Sequence, residues 1–139
     1  MKIDTSTDFG ARAARRLAEE QIGWFTTVRA DGMPQPVPVW FHWDGETPLI
    51  FSEPAARKVR NLAGNPRASL HFNTDDQGED VVVLTGEART GTEMPPPERL
   101  AAYVEKYAEG MKQLNLTPEA MLATYSMPIY LTPASVTGH

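Results

Sequence analysis

Apolar positions along the chain change their period several times, and each change marks an element. From Asp8 to about Gln21, Phe9, Ala13, Leu17 and Ala18 fall on one side of a helix, while Arg12, Arg15, Arg16, Glu19 and Glu20 take the rest. Asp8 is the expected cap and Gly23 the expected stop, which gives a cover helix within residues 1–22 whose arginines read as surface charges. Trp24 to Arg29 reads as a strand, and Ala30-Asp31-Gly32-Met33 as a hairpin turn with the Asp-Gly signal. A second strand is expected from Pro34 to Trp43, with Val37, Val39, Phe41 and Trp43 on one face.

Pro34, Pro36 and Pro38 alternate along that strand, so one of its edges lacks three successive N–H donors. Such a strand belongs at a sheet edge or beside a gap in a barrel. Its other edge keeps the donors of Gln35, Val37 and Val39. The pattern leaves two readings open: a protected edge, or an open edge that receives a flat ligand.

After the turn at Asp44-Gly45-Glu46, the run Leu49-Ile50-Phe51 has the length and composition of a buried strand. Ser52, Glu53 and Pro54 then read as an N-cap, a first-turn acid and a proline at the start of a short helix. That helix carries Arg57, Lys58 and Arg60, and Asn61 follows Arg57 and Lys58 at the spacing that shares a face. Gly64 stops it, Asn65-Pro66 turns the chain, and Arg67 to Phe72 returns as a strand. Three cations in four positions stand out from an acidic chain, close to free backbone N–H groups at a helix start. The spacing alone does not decide between a solvated face and a phosphate site.

The acidic run from Asp75 to Asp80 reads as a solvated turn. Val81 to Thr90 is the most strand-like run, with Gly86 marking a bulge or a close backbone approach. Met94-Pro95-Pro96-Pro97 launches a helix from about Glu98 to Leu114, with Leu100, Val104, Tyr107 and Met111 as its core stripe. A short helix starts at Thr117-Pro118-Glu119, and Met127 to Val136 closes the chain as a strand bounded by Pro128 and Pro133. One domain over residues 1–139 is expected, with peripheral helices in 95–126. Strands joined mostly by hairpins predict a mainly β fold, an antiparallel barrel with peripheral helices.

Composition narrows the chemistry. The chain has 139 residues, a formal net charge of −5, three histidines and no cysteine. The acidic balance argues against a nucleic-acid binder, and no thiolate nucleophile or cysteine-ligated metal is available. His42, His71 and His139 lack metal-site spacing, so no metal is expected. Neither GxGxxG nor GxxxxGK[ST] occurs. No apolar run of roughly 18 residues is present, and the N-terminus lacks a signal-peptide core, so a cytoplasmic protein without a membrane partner is expected.

The segments DGMPQPVPVWFHWDGE, LIFSEPAARKVRNLAGNPRASLHF, VVVLTGEA and PIYLTPASVTGH resemble the flavin-binding split barrels of the pyridoxamine phosphate oxidase class. The likeness is nearest to the actinobacterial branch that uses the deazaflavin coenzyme F420, and covers roughly Gly23 to Gly138. It implies a Greek-key split barrel that forms a homodimer with two cofactor sites in the interface grooves. The segment matching Arg57 and Lys58 would bind the cofactor phosphate, with Asn61 and Ser52 close by. Val37, Pro38 and Val39 would lie against the tricyclic ring, where remaining backbone N–H groups would meet ring oxygens and nitrogens. The implied activity is an F420-dependent oxidoreductase passing a hydride to a small organic substrate. FMN is the alternative cofactor, and a non-catalytic flavin- or tetrapyrrole-binding dimer the alternative role. The chain ends without the longer C-terminal part that binds the pyridoxal-type substrate, so oxidation of vitamin B6 is not implied.

Overall fold

The structure, a computed structural model, describes residues 1–139. Helix α1 (Asp8–Glu19) leads into strands β1 (Gly23–Val28), β2 (Pro34–Val39), β3 (His42–Trp43) and β4 (Pro48–Ser52). Helix α2 (Arg57–Gly64), β5 (Arg67–His71) and β6 (Val82–Thr90) follow, then α3 (Pro97–Lys106), α4 (Ala108–Gln113), α5 (Pro118–Thr124) and β7 (Met127–Gly138). All seven strands form one antiparallel sheet in the order β2-β1-β5-β6-β7-β4-β3. Its two edge strands, β2 and β3, are separated in the chain only by Trp40 and Phe41. Three Cα–Cα steps span at most about 11 Å, so the sheet must curl until its edges nearly meet. The result is a barrel with a split.

That split divides what the alternating pattern predicts as one strand from Pro34 to Trp43. Phe41 is fully buried, and its backbone is held by side chains instead of a neighbouring strand. Its N–H donates to Tyr107 Oη at 2.8 Å, and its carbonyl accepts from Lys106 Nζ at 2.7 Å. Trp40 stacks on the Tyr107 ring at 4.5 Å with an interplanar angle of 3°. The helices thus fix the corner at which the chain crosses from one sheet edge to the other.

Burial explains the layers. Phe25, Phe41, Leu70, Phe72, Leu84 and Ile129 fill the barrel, closed at one side by Ala13 and Leu17 of α1. A second core lies on the outer face of β4, where Leu49 and Phe51 meet Tyr103, Tyr107, Met111 and Met121. Strand β4 is therefore buried on both faces, which is why it reads as a continuous apolar run.

Several boundaries differ from the sequence expectation. Thr7, not Asp8, caps α1 by accepting from the Gly10 N–H, and the helix ends before Gly23, which opens β1. Arg16 is not a surface charge but is only 7 % exposed. It donates to the carbonyls of Asp80 and Asn73, pairs with Glu20 and lies over the Phe72 ring. The helix expected from Glu98 to Leu114 breaks at Tyr107 into α3 and α4. Pro128 and Pro133 lie inside β7 and do not bound it. Pro133 is tolerated because it stands opposite the Thr85/Gly86 register shift, where the ladder is already interrupted. A Cβ on Gly86 would sit 2.1 Å from Thr132 O, so the close approach there requires glycine. No helix is long and apolar enough to cross a membrane.

Candidate functional site

Helix α2 packs against β1 near the split, and its start is later than the Ser52–Pro54 signal predicts. Ser52 ends β4, is 1 % exposed, and donates its Oγ to the carbonyl of Glu53 at 2.9 Å. It is not the cap. Ala56 takes that position without a side-chain bond, and its carbonyl accepts from Val59 and Arg60. Arg57 and Lys58 are thus the first two helical residues, whose N–H groups have no intrahelical acceptor. Side-chain cations and free N–H donors converge on one helix start, a favourable arrangement for an anion.

Asn61 is brought to the same helix face, with a different task. Its Nδ2 donates to Thr27 Oγ1 at 3.0 Å and to Gln35 Oε1 at 2.9 Å. Both amide hydrogens are used in bracing α2 to β1 and β2, so Asn61 positions the helix and has no donor left for a phosphate.

A groove of about 360 Å³ runs between α2 and the β1–β2 hairpin, bordered by Val37, Pro36, Gln35, Arg57, Lys58 and Asn61. Arg57 and Asn61 also border a polar recess of about 330 Å³ that adds Arg29 and Arg60. In the other direction Lys58 borders a more enclosed, apolar cavity of about 270 Å³ with Pro38, Val39, Trp40 and Phe51. Of the residues singled out in the sequence, Val37, Arg57, Lys58 and Asn61 therefore share one groove. Pro38 and Val39 share the adjoining cavity with Lys58, and Ser52 borders none of these spaces.

Neither Arg57 nor Lys58 makes an ion pair, whereas Arg12, Arg16, Arg29 and Arg99 each pair with a carboxylate. Arg60 donates to the carbonyl of Ala55 at 2.6 Å instead of forming the ion pair a surface cation would suggest. Lys58 is half-buried, and desolvation holds its ammonium below the ordinary lysine range, with Glu53 acting weakly the other way. A partly dehydrated ammonium without a counter-ion gains more from an arriving anion than one already paired in water.

The proline edge behaves as predicted on one side and differently on the other. In the β1–β2 register Trp24 faces Pro38, Thr26 faces Pro36 and Val28 faces Pro34. Prolines cannot donate, so the hydrogen-bonded pairs are those of Gln35, Val37 and Val39, whose N–H groups point into the ladder with β1. The bare edge accordingly offers proline carbonyls and no N–H donors. It suits the N–H group of a ring, and the expected backbone donors to ring oxygens are not there.

One group of residues lining the site escapes the sequence reading. Tyr103, Leu114, Leu116, Met121 and Tyr125 of the peripheral helices wall the apolar cavity. Tyr103 lies one position from Val104 in the predicted core stripe, so its helical spacing marks it as buried but not as lining a cavity. His42 borders none of these spaces. It accepts from Arg99 Nε at 3.3 Å, and burial together with Arg99 and Lys106 holds it below its ordinary value.

A profile of the pyridoxamine 5'-phosphate oxidase family matches residues 9–127. Among solved structures, a conserved hypothetical protein from Mycobacterium tuberculosis is 21 % identical with a TM-score of 0.70, over 91 % of this chain and 81 % of that one. An F420 reductase is 22 % identical with a TM-score of 0.64, over 88 % and 94 %. A heme storage protein from Vibrio cholerae is 19 % identical with a TM-score of 0.67, over 99 % and 95 %. At these identities the likeness is one of fold, and it is shared by proteins with different ligands.

Proposed function

Since this chain belongs to the pyridoxamine 5'-phosphate oxidase family, we propose that it is an oxidoreductase of small organic molecules that binds a phosphorylated flavin-type cofactor, coenzyme F420 in the first place and FMN in the second. The observation that carries this reading is the pair of unpaired cations, Arg57 and Lys58, at the start of α2 beside the proline edge. Arg57, the Lys58 ammonium and their backbone N–H groups would hold the phosphate, and Val37, Pro38 and Val39 would border the ring. The further guanidinium of Arg60 next to Arg57 favours the deazaflavin, whose side chain carries carboxylates beyond its phosphate.

When bound, the ring supplies the two-electron redox chemistry. The protein's own residues bind, orient and shield. Asn61 fixes the helix that carries the cations, so their spacing relative to β2 is set by a side-chain brace instead of a loop. The stacked Trp40 and Tyr107 rings keep the strand end rigid beside the ring. The helices α3–α5 cover the outer face of β4 and wall the cavity that adjoins the groove at Lys58. No side-chain nucleophile is required. As in the family's split barrels, the proposed working form is a homodimer whose second subunit covers the open side of the groove.

Titration of the purified protein with F420 and with FMN tests the reading. Binding of F420 in the micromolar range, weakened about tenfold or more by Lys58→Ala, is expected for loss of one charge-assisted contact. Indifference to both cofactors would overturn it.

A further inference from the structure

Pro38 and Val39, proposed above to border the ring, form one wall of the apolar cavity beyond Lys58; the rest of that cavity is not used by the cofactor reading. The cavity's volume of about 270 Å³ lies near the small end of the range for organic ligands, enough for one compact ring system. Trp40, Phe51, Leu116, Met121 and Tyr125 contribute flat or flexible apolar walls. Two of these walls are held in place: Trp40 by its stack on Tyr107, Phe51 by an edge-on contact with Tyr103 at 4.8 Å. Leu114, 60 % exposed, and Tyr125, 40 % exposed, also border it and leave large apolar side chains at its mouth.

Tyr103 supplies the polar element. The residue is 2 % exposed, yet its hydroxyl has no hydrogen-bond partner within the protein. No fully occluded side-chain oxygen or nitrogen is left unpaired, so the small accessibility Tyr103 retains includes its Oη, and Tyr103 is one of the residues that line the cavity. Buried hydroxyls are nearly always bonded, which makes this one complete only with an acceptor from outside the chain. The neighbouring Tyr107 hydroxyl, by contrast, is fully engaged with Phe41 and Gln21. Burial and Tyr107 push the Tyr103 phenol well above its ordinary value, so it keeps its proton and acts as a donor near neutral pH.

We propose that this cavity is a binding site for a small, flat, largely apolar molecule bearing one hydrogen-bond acceptor such as a carbonyl, held by the Tyr103 hydroxyl, and that this molecule is the substrate. Only its role as substrate rests on the oxidoreductase reading above; the site rests on its own geometry. Lys58 borders both spaces, so a molecule in the cavity lies alongside whatever the groove holds.

The test uses 1-indanone and its hydrocarbon counterpart indane, followed through the Met121 methyl resonance of methionine-labelled protein. Indanone is expected to shift that resonance saturably and to bind Tyr103→Phe about 5- to 10-fold more weakly, the loss of one neutral hydrogen bond. Indane is expected to bind wild type and Tyr103→Phe alike. Leu116→Trp, which fills the cavity, is expected to abolish both titrations while the other methionine methyls keep their positions. No saturable shift with either compound, or equal weakening of both by Tyr103→Phe, overturns the site. Displacement of indanone by saturating FMN or F420 overturns it too, because the cavity would then belong to the cofactor ring. Cofactor binding retained without indanone binding sinks this inference alone; the converse result sinks the cofactor reading and the substrate role with it, and leaves the site standing.

Discussion

Tyr103 and Tyr107 are one helical turn apart and both buried, but their hydroxyls differ in a way that predicts opposite outcomes for the same substitution. Tyr107 Oη accepts from the Phe41 N–H at 2.8 Å and donates to Gln21 O at 2.7 Å. In Tyr107→Phe the Gln21 carbonyl, on an exposed residue, can turn to water, and the Phe41 carbonyl keeps Lys106 Nζ at 2.7 Å. The Phe41 N–H has no such recourse, because the residue is fully buried at the split. One orphaned buried donor costs about 1–3 kcal/mol. For a domain of this size that lowers the melting temperature by roughly 3–10 °C. Tyr103→Phe removes a hydroxyl that makes no bond, and its stability should stay within about 0.5 kcal/mol of wild type. Urea denaturation followed by circular dichroism, with all three proteins at one concentration, measures both. Equal losses for the two variants, or a loss confined to Tyr103→Phe, would refute the placement of these hydroxyls and with it the account of how the split is held.

Arg16→Met should destabilise the protein by about 1–3 kcal/mol in the same assay, because it removes a buried guanidinium that bonds the carbonyls of Asn73 and Asp80 and pairs with the partly exposed Glu20; a change near zero would mean that Arg16 is the surface charge its position in the sequence suggests. Burial lowers the Lys106 ammonium to about 8, against about 10.4 in the unfolded chain. Between those values the unfolded chain binds more protons, so stability rises with pH there, and the full cost of the buried charge is present below them. Wild type should therefore gain on Lys106→Met between pH 8 and about 10 in urea midpoints; parallel curves would contradict the burial of that charge.

Much of this fold was legible because local patterning and tertiary burial agree. The alternating prolines marked an edge strand, the Asp31-Gly32 turn is a hairpin with Gly32 at φ 88°, and Leu49-Ile50-Phe51 is a strand covered on both faces. Misreadings fell where a distant partner overrides a local signal. Ser52 looked like a cap but turns inward to Glu53, and the helix waits until Arg57. Trp40-Phe41 kept the alternation of a strand, although their partners are aromatic and basic side chains some 65 residues later. Arg16 sat on the polar face of an amphipathic helix, and only the return of the Asn73–Asp80 turn buries it. At the site, the two cations and the bare edge were readable from spacing. The direction of the remaining N–H groups depended on which neighbour β2 pairs with, and the cavity depended on how three short helices pack.

The claim that all of this serves is that Arg57 and Lys58 recognise a phosphate. A double-mutant cycle measures it most directly, comparing the better-bound of FMN and F420 with its phosphate-free alcohol in wild type and in Lys58→Ala. The account predicts a coupling of about 1.5–3 kcal/mol, with the phosphate-free compound nearly blind to the substitution. Equal weakening of both compounds would place the lysine's contribution somewhere other than the phosphate, and contradict it.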